Sequence, residues 1–217
     1  MARNHSVVAL SSVSAKYIEK ALHTVDLAEQ RGIIIRVMGC VGVKIHTPKW
    51  NQFHEGVMER LATDLDFASL SKYRSRLKEF FNELGYETVR TARPEEYRIV
   101  FEDREGTHVD VFVDKLSMCH TIDLRDRLAI DSPTIPLSDI MLEKIQIVKI
   151  TEKDIKDIVV LMLEHDVGGL DKETINGDYI SKILARDWGF YYTSTTNLKL
   201  IKEKLSLIHI SEPTRPY

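Results

Sequence analysis

The sequence holds only two cysteines, Cys40 and Cys119, far apart and in no Cys-x-x-Cys pair. That excludes a disulfide framework and makes a reducing compartment the expected one. Ten glycines and six prolines are too few for a disordered or collagen-like chain, and neither an internal repeat nor a low-complexity segment is visible. No run approaches the roughly 18 consecutive apolar residues that a membrane span needs. The first ten residues carry a short apolar patch without the hydrophobic stretch of a signal peptide. A cytoplasmic protein without membrane contact is therefore expected. Excess charge is lacking too: 30 Lys and Arg against 33 Asp and Glu leave −3. Nothing in that sum demands nucleic acid as a partner, although it leaves room for a locally basic cleft. The histidines show no His-Glu-x-x-His spacing, and Cys119-His120 has no recognisable third partner, which speaks against a thiol protease.

What is present is enough apolar material for a core: 43% of 217 residues are hydrophobic, so folding needs neither disulfides nor a structural metal. Tyr17, Ala21, Val25 and Ala28 keep helical spacing across residues 14–31, with Gly32 as the stop. The apolar, β-branched run 33–38 reads as a buried strand, Gly39 follows it, and a helix is expected over 40–46. A loop is expected over 47–53. Asp64-Leu-Asp-Phe67 alternates like a half-buried strand, and 72–84 is helical up to Gly85. Strands at 97–101 and 108–113 flank Asp103-Arg-Glu-Gly106, a hairpin turn sequence. A short strand over 134–137 and helices over 138–150, 174–187 and 197–204 complete the pattern. Thr151-Glu-Lys-Asp154 has the form of a capping box opening a helix to Leu163, and Gly168-Gly169 breaks the chain. Strands mixed with helices to about residue 137, then helices only, give an α+β core (1–137) with a helical C-terminal part (138–204). The aromatic run 188–192 is expected to pack within the helical part.

Three features fall in an order that carries chemistry. A glycine, Gly39, closes a buried strand; Asp64 and Asp66 lie on the next strand, facing the same way; Asp110 sits inside the apolar run Val109-Asp-Val-Phe-Val113. Two close carboxylates stay ionised only beside strong positive charge, and a buried unpaired carboxylate is costly. Divalent cations meet both needs, and Mg²⁺ prefers a few carboxylates with water and phosphate oxygens.

Met38-Gly39-Cys40, then Arg60-Leu-Ala-Thr-Asp64-Leu-Asp66-Phe67, then Val109-Asp110-Val111 resemble the nucleotidyltransferase superfamily, and in particular its abortive-infection and minimal branch, which includes toxins of toxin–antitoxin pairs. Leu142-Glu-Lys144 and Lys153-Asp-Ile-Lys-Asp157 are similar to the lysine and Asp-x-x-Asp helices of those proteins. The resemblance implies a mixed sheet flanked by helices and transfer of an NMP from an NTP to a hydroxyl. Two Mg²⁺ ions would be held by Asp64, Asp66 and Asp110, with Asp110 also helping to deprotonate the acceptor. Gly39 and Cys40 would approach the β and γ phosphates through their N–H groups. Lys144 would neutralise the triphosphate, and Arg60 would contact phosphate or support the site. Asp154 and Asp157 read as cap and surface residues, with pairing of Asp157 to a basic residue in the cleft as the alternative. The acceptor stays open between tRNA, a protein and a small molecule such as an aminoglycoside, and a cognate antitoxin is a further implied partner. Cys40 departs from the family's Gly or Ser, and its thiol is a weaker donor than a hydroxyl. A catalytically degenerate nucleotide- or protein-binding module is the alternative on that ground.

Residues 205–215, Leu-Ser-Leu-Ile-His-Ile-Ser-Glu-Pro-Thr-Arg, resemble a frame translation of the transposase adapter used in sequencing libraries. The expectation is a non-native tail over 205–217 and a gene cut off near Lys204.

Overall fold

The computed structural model of the chain describes residues 12–89 and 96–211. The apolar patch in the first ten residues and the last six residues of the expected tail lie outside them. Helix α1 (Ser12–Gln30) is followed by β1 (Ile35–Met38), α2 (Gly39–His46), β2 (Leu65–Ser69), α3 (Arg74–Glu83) and β3 (Glu87–Thr88). Strands β4 (Arg98–Glu102) and β5 (His108–Val113) form the expected hairpin, and β6 (Lys115–Ser117) with β7 (Thr121–Asp123) a small ribbon. Asp103 holds the β4–β5 turn, its Oδ1 accepting from the N–H groups of Glu105 and Thr107, while Gly106 takes φ +79°.

Five strands form one mixed sheet in the order β1-β2-β5-β4-β3, in which only β2 and β5 run parallel. Strand β3 is exposed and one face of β4 only half-buried, whereas at β1 and most of β2 the sheet is covered on both faces. On one, Val37, Phe67, Phe101, Val109 and Val111 pack against Ala21, Val25 and Ala28 of α1 and Leu77, Phe80 and Phe81 of α3. On the other, Met38, Ala68 and Phe112 meet the C-terminal helices. Strand alternation puts Asp66 and Asp110 on this second face, between apolar neighbours that point the other way.

The C-terminal part comprises α4 (Leu137–Ile145), α5 (Glu152–Glu164), β8 (Val167–Gly168), β9 (Ile175–Asn176), α6 (Gly177–Leu184) and α7 (Trp188–Ser211). The capping box is present: Thr151 Oγ1 accepts from the Asp154 N–H, and Asp154 accepts from the Thr151 N–H. Five expectations need correction. The loop expected over 47–53 gives way to helical backbone at residue 51, which runs into a π-helical turn over Phe53–Val57. Residues 134–137 form no strand; Thr134 makes a single bridge to Val37, because Pro133 and Pro136 lack the N–H groups a ladder requires. The helix from Ser138 ends at Ile145 rather than Ile150, where Asn197 Nδ2 donates to the carbonyls of Ile145 and Ile147. The region is not purely helical: β8 and β9 pair in parallel, so the helix expected from Thr174 starts only at Gly177, capped by Asn176. In the run 188–192 only Phe190 packs inside, stacking on His120, whereas Trp188, Tyr191 and Tyr192 are exposed. Helix α7 continues to Ser211, through the first residues of the expected tail. No helix among the described residues is long and apolar enough to cross a membrane.

Candidate active site

The site is built where β1 ends. Its last residue, Met38, gives way to Gly39, which turns the chain at φ +66° into α2. An added Cβ on Gly39 would stand 2.2 Å from Asp66 Oδ2, so the carboxylate of Asp66 lies directly on that α-carbon. Both constraints require glycine. Met38 pairs with Asp66 across the β1–β2 ladder, and Asp66 pairs with Asp110 across the parallel β2–β5 ladder. Strands are roughly 4.8 Å apart in that direction, so the two carboxylates are neighbours on one face. Asp64 occupies an exposed bend one residue before β2 rather than the strand itself.

Electrostatics ties these groups together. Burial, followed by the charge of Asp64 and then of Glu143 and Asp110, pushes the Asp66 carboxyl up to about 8, while Lys144 pulls the other way. Asp110 Oδ2 accepts from Arg98 Nη2 at 2.6 Å, whereas its Oδ1 is buried and accepts from no described group. Among the described residues no three His, Cys, Asp or Glu side chains are grouped so as to hold a metal ion. Mg²⁺ does not ask for such a group: it is held by one or two carboxylates and completes its shell with water and phosphate oxygens. An orphaned carboxylate oxygen beside a second carboxyl raised by burial and then by like charge is a donor set that fits a hard divalent cation.

Behind the carboxylates lies a buried polar network centred on Asp157 of α5. Arg60 grips it with two bonds, Nε to Oδ1 at 3.0 Å and Nη2 to Oδ2 at 3.1 Å. Lys144 Nζ is 3.2 Å from Oδ2, and His54 Nε2 is 3.1 Å from Oδ1. Burial alone would raise the Asp157 carboxyl, yet Lys144, His54 and Arg60 hold it well below the usual carboxylate range. Asp157 is thus a core residue and not a surface one; of the two alternatives, it is the pairing with basic residues that occurs. Lys144 and Arg60, expected at phosphates, are both buried in these pairs. Lys144 Nζ also lies 3.2 Å from Glu143 Oε1. Next to this network Lys44 and Glu55 form a second buried pair at 2.9 Å. Cys40 is buried beside it, its Sγ facing the Leu61 carbonyl, and burial with the charge of Asp157 pushes the thiol up to about 12. Its side chain points into the core.

Sequence reasoning missed Glu143, which accepts from the Gly39 N–H at 3.1 Å, together with Arg98 and His54. Glu143 carried a signal of sorts, standing beside Lys144 in an apolar helix; Arg98 and His54 carried none. A cavity of about 980 Å³ lies by the opposite end of α2, lined by His46, Asp131, Glu164 and His165, away from the carboxylates.

No family model matches the chain, and no curated protein matches it by sequence. Solved structures do align with it. The lincosamide antibiotic adenylyltransferase LnuA, lincomycin-bound, is 18% identical, with 66% of this chain and 96% of that one covered and a TM-score of 0.49. ANT(2″)-Ia in complex with adenylyl-2″-tobramycin is 10% identical, with 82% and 96% covered and a TM-score of 0.47. An antigenic nucleotidyltransferase-like protein from Paracoccidioides brasiliensis is 11% identical, with 84% and 94% covered and a TM-score of 0.43.

Proposed function

We propose that this chain is a Mg²⁺-dependent nucleotidyltransferase that moves an NMP from an NTP to a hydroxyl acceptor. The observation that carries the reading is the register of the parallel ladder, which sets Asp66 opposite Asp110 with Gly39 beneath Asp66. The motif resemblance of the same residues supports it. Asp64, Asp66 and Asp110 are the residues that would hold two Mg²⁺ ions. Bound there, the ions would polarise the α-phosphoryl group and neutralise charge on the leaving pyrophosphate. Asp110, with its unpartnered Oδ1, takes the proton of the acceptor hydroxyl. The hydroxyl oxygen forms the new bond to the α-phosphorus, the bond to the β-phosphate oxygen breaks, and pyrophosphate leaves. Arg60 and Lys144, fixed by Asp157, supply positive potential beside the carboxylates.

The test is pyrophosphate release from each of the four NTPs with Mg²⁺, against bulk tRNA, protein and aminoglycoside acceptors, comparing wild type with Asp66→Asn. Release that vanishes in the variant supports the assignment; equal release from both sinks it. The motif resemblance also supports a toxin held by a cognate antitoxin, for which growth arrest on expression is the direct check. One observation favours a second reading, a degenerate nucleotide-binding module: the Cys40 thiol is buried and offers phosphate no donor. Calorimetric NTP binding without pyrophosphate release would select that reading.

A further inference from the structure

Two donors that the resemblance assigns to nucleotide phosphates meet on one carboxylate. Glu143 Oε2 accepts from the Gly39 N–H at 3.1 Å, and Glu143 Oε1 lies 3.2 Å from Lys144 Nζ. The Glu143 side chain is only 11% exposed, so this is a buried bridge and not a surface contact. Helix α2 receives no side-chain cap from Met38, and the anion at its positive end comes instead from α4. The charge of Glu143 also weighs on Asp66, so the carboxylate stands inside the acidic cluster.

We infer that Glu143 is an internal stand-in for a nucleotide phosphate, filling the position between the Gly39 N–H and Lys144 Nζ until a phosphate group displaces it. The inference rests on the nucleotidyltransferase reading for the identity of the ligand. One N–H cannot serve two anions at hydrogen-bond distance, and a carboxylate and a phosphate repel each other there. A phosphate entering the site therefore turns Glu143 out, and its affinity is lowered by the cost of doing so. A lone monoester phosphate competes poorly with a built-in carboxylate. A polyphosphate, whose other oxygens reach the carboxylates through Mg²⁺, competes well. Glu143 is in this sense a residue that selects for polyphosphate rather than a catalytic one.

The probe is inorganic tripolyphosphate with Mg²⁺, titrated into the full chain labelled with [¹⁵N]glycine, with affinity from calorimetry and the Gly39 amide resonance as reporter. Glu143→Gln keeps the side-chain shape and Glu143→Ala removes it; thermal midpoints check folding, and the glutamine variant decides alone if the alanine variant does not fold. The expected result is a Gly39 amide that moves on titration of wild type and about ten-fold tighter binding in the variants. Equal or weaker binding in the variants overturns the inference, as does a Gly39 amide that ignores the probe. The two readings fail separately. Tighter probe binding without NTP-dependent pyrophosphate release removes the enzyme and leaves Glu143 in its role. Pyrophosphate release with unchanged probe affinity does the reverse.

Discussion

The α-carbon of Gly39 is the surface on which the Asp66 carboxylate rests: a Cβ there would approach Oδ2 to 2.2 Å. The contact joins the end of β1 to the carboxylate pair of β2 and β5, and it leaves no room for even the smallest side chain.

Gly39→Ala is expected to lose transfer and to destabilise the fold by about 1–3 kcal/mol, since alanine must also hold a left-handed φ. Urea midpoints and pyrophosphate release check it. Normal values in both would mean that Asp66 is not held against this turn.

Asp157→Ala takes from Arg60, Lys144 and His54 the carboxylate they share, leaving Lys144 only Glu143 and Arg60 only the Leu61 carbonyl among the described residues. Removing one partner of a buried ion pair typically costs about 3–5 kcal/mol, and that range is expected here. Chemical denaturation measures it. A loss below 1 kcal/mol, roughly a surface value, would show that the network is open to water in solution.

Burial, then the charge of His165, pushes His46 down to about 4 from 6.5. The folded pKa lies below the unfolded one, so the folded state takes up its proton later. The stability this neutral ring contributes is complete above pH 6.5 and is lost as the pH falls through about 4. Stability curves of wild type and His46→Gln between pH 4 and 7 should differ in slope, the variant being flatter. Parallel curves would assign the acid loss to other groups.

Mg²⁺ is expected to raise the thermal midpoint of wild type, because an ion that binds only the folded state stabilises it by mass action. Asp66→Asn and Asp110→Asn should blunt the rise. An undiminished rise in the double variant would move the ion away from this cluster.

The hairpin β4–β5, the turn at Gly39 and the capping box at Thr151 were legible because each is written in a few adjacent residues. The pairing of Asp66 with Asp110 on one face could be anticipated, Asp66 alternating with apolar neighbours and Asp110 standing among valines, whereas the strand pattern misplaced Asp64, which lies on a bend before β2. The Asp157 network was not legible, since its three partners come from residues 54, 60 and 144 and meet only through packing. Arg98 on Asp110 and Glu143 on Gly39 were invisible likewise, being contacts between elements. The ribbon β8–β9 consists of two-residue strands, too short for a period to show.

The parallel pairing of β2 with β5 has a consequence for how the chain folds. β4 and β5 are joined by a tight turn and pair from local contacts, whereas β1 and β2 pair across residues 39–64, which include α2. Leu65 meets Val109 only after everything between them has been gathered in, and such long-range closures are slow. The carboxyl groups of Asp66 and Asp110 thus meet across a long-range pairing. Their repulsion therefore weighs on the closure of β2 onto β5.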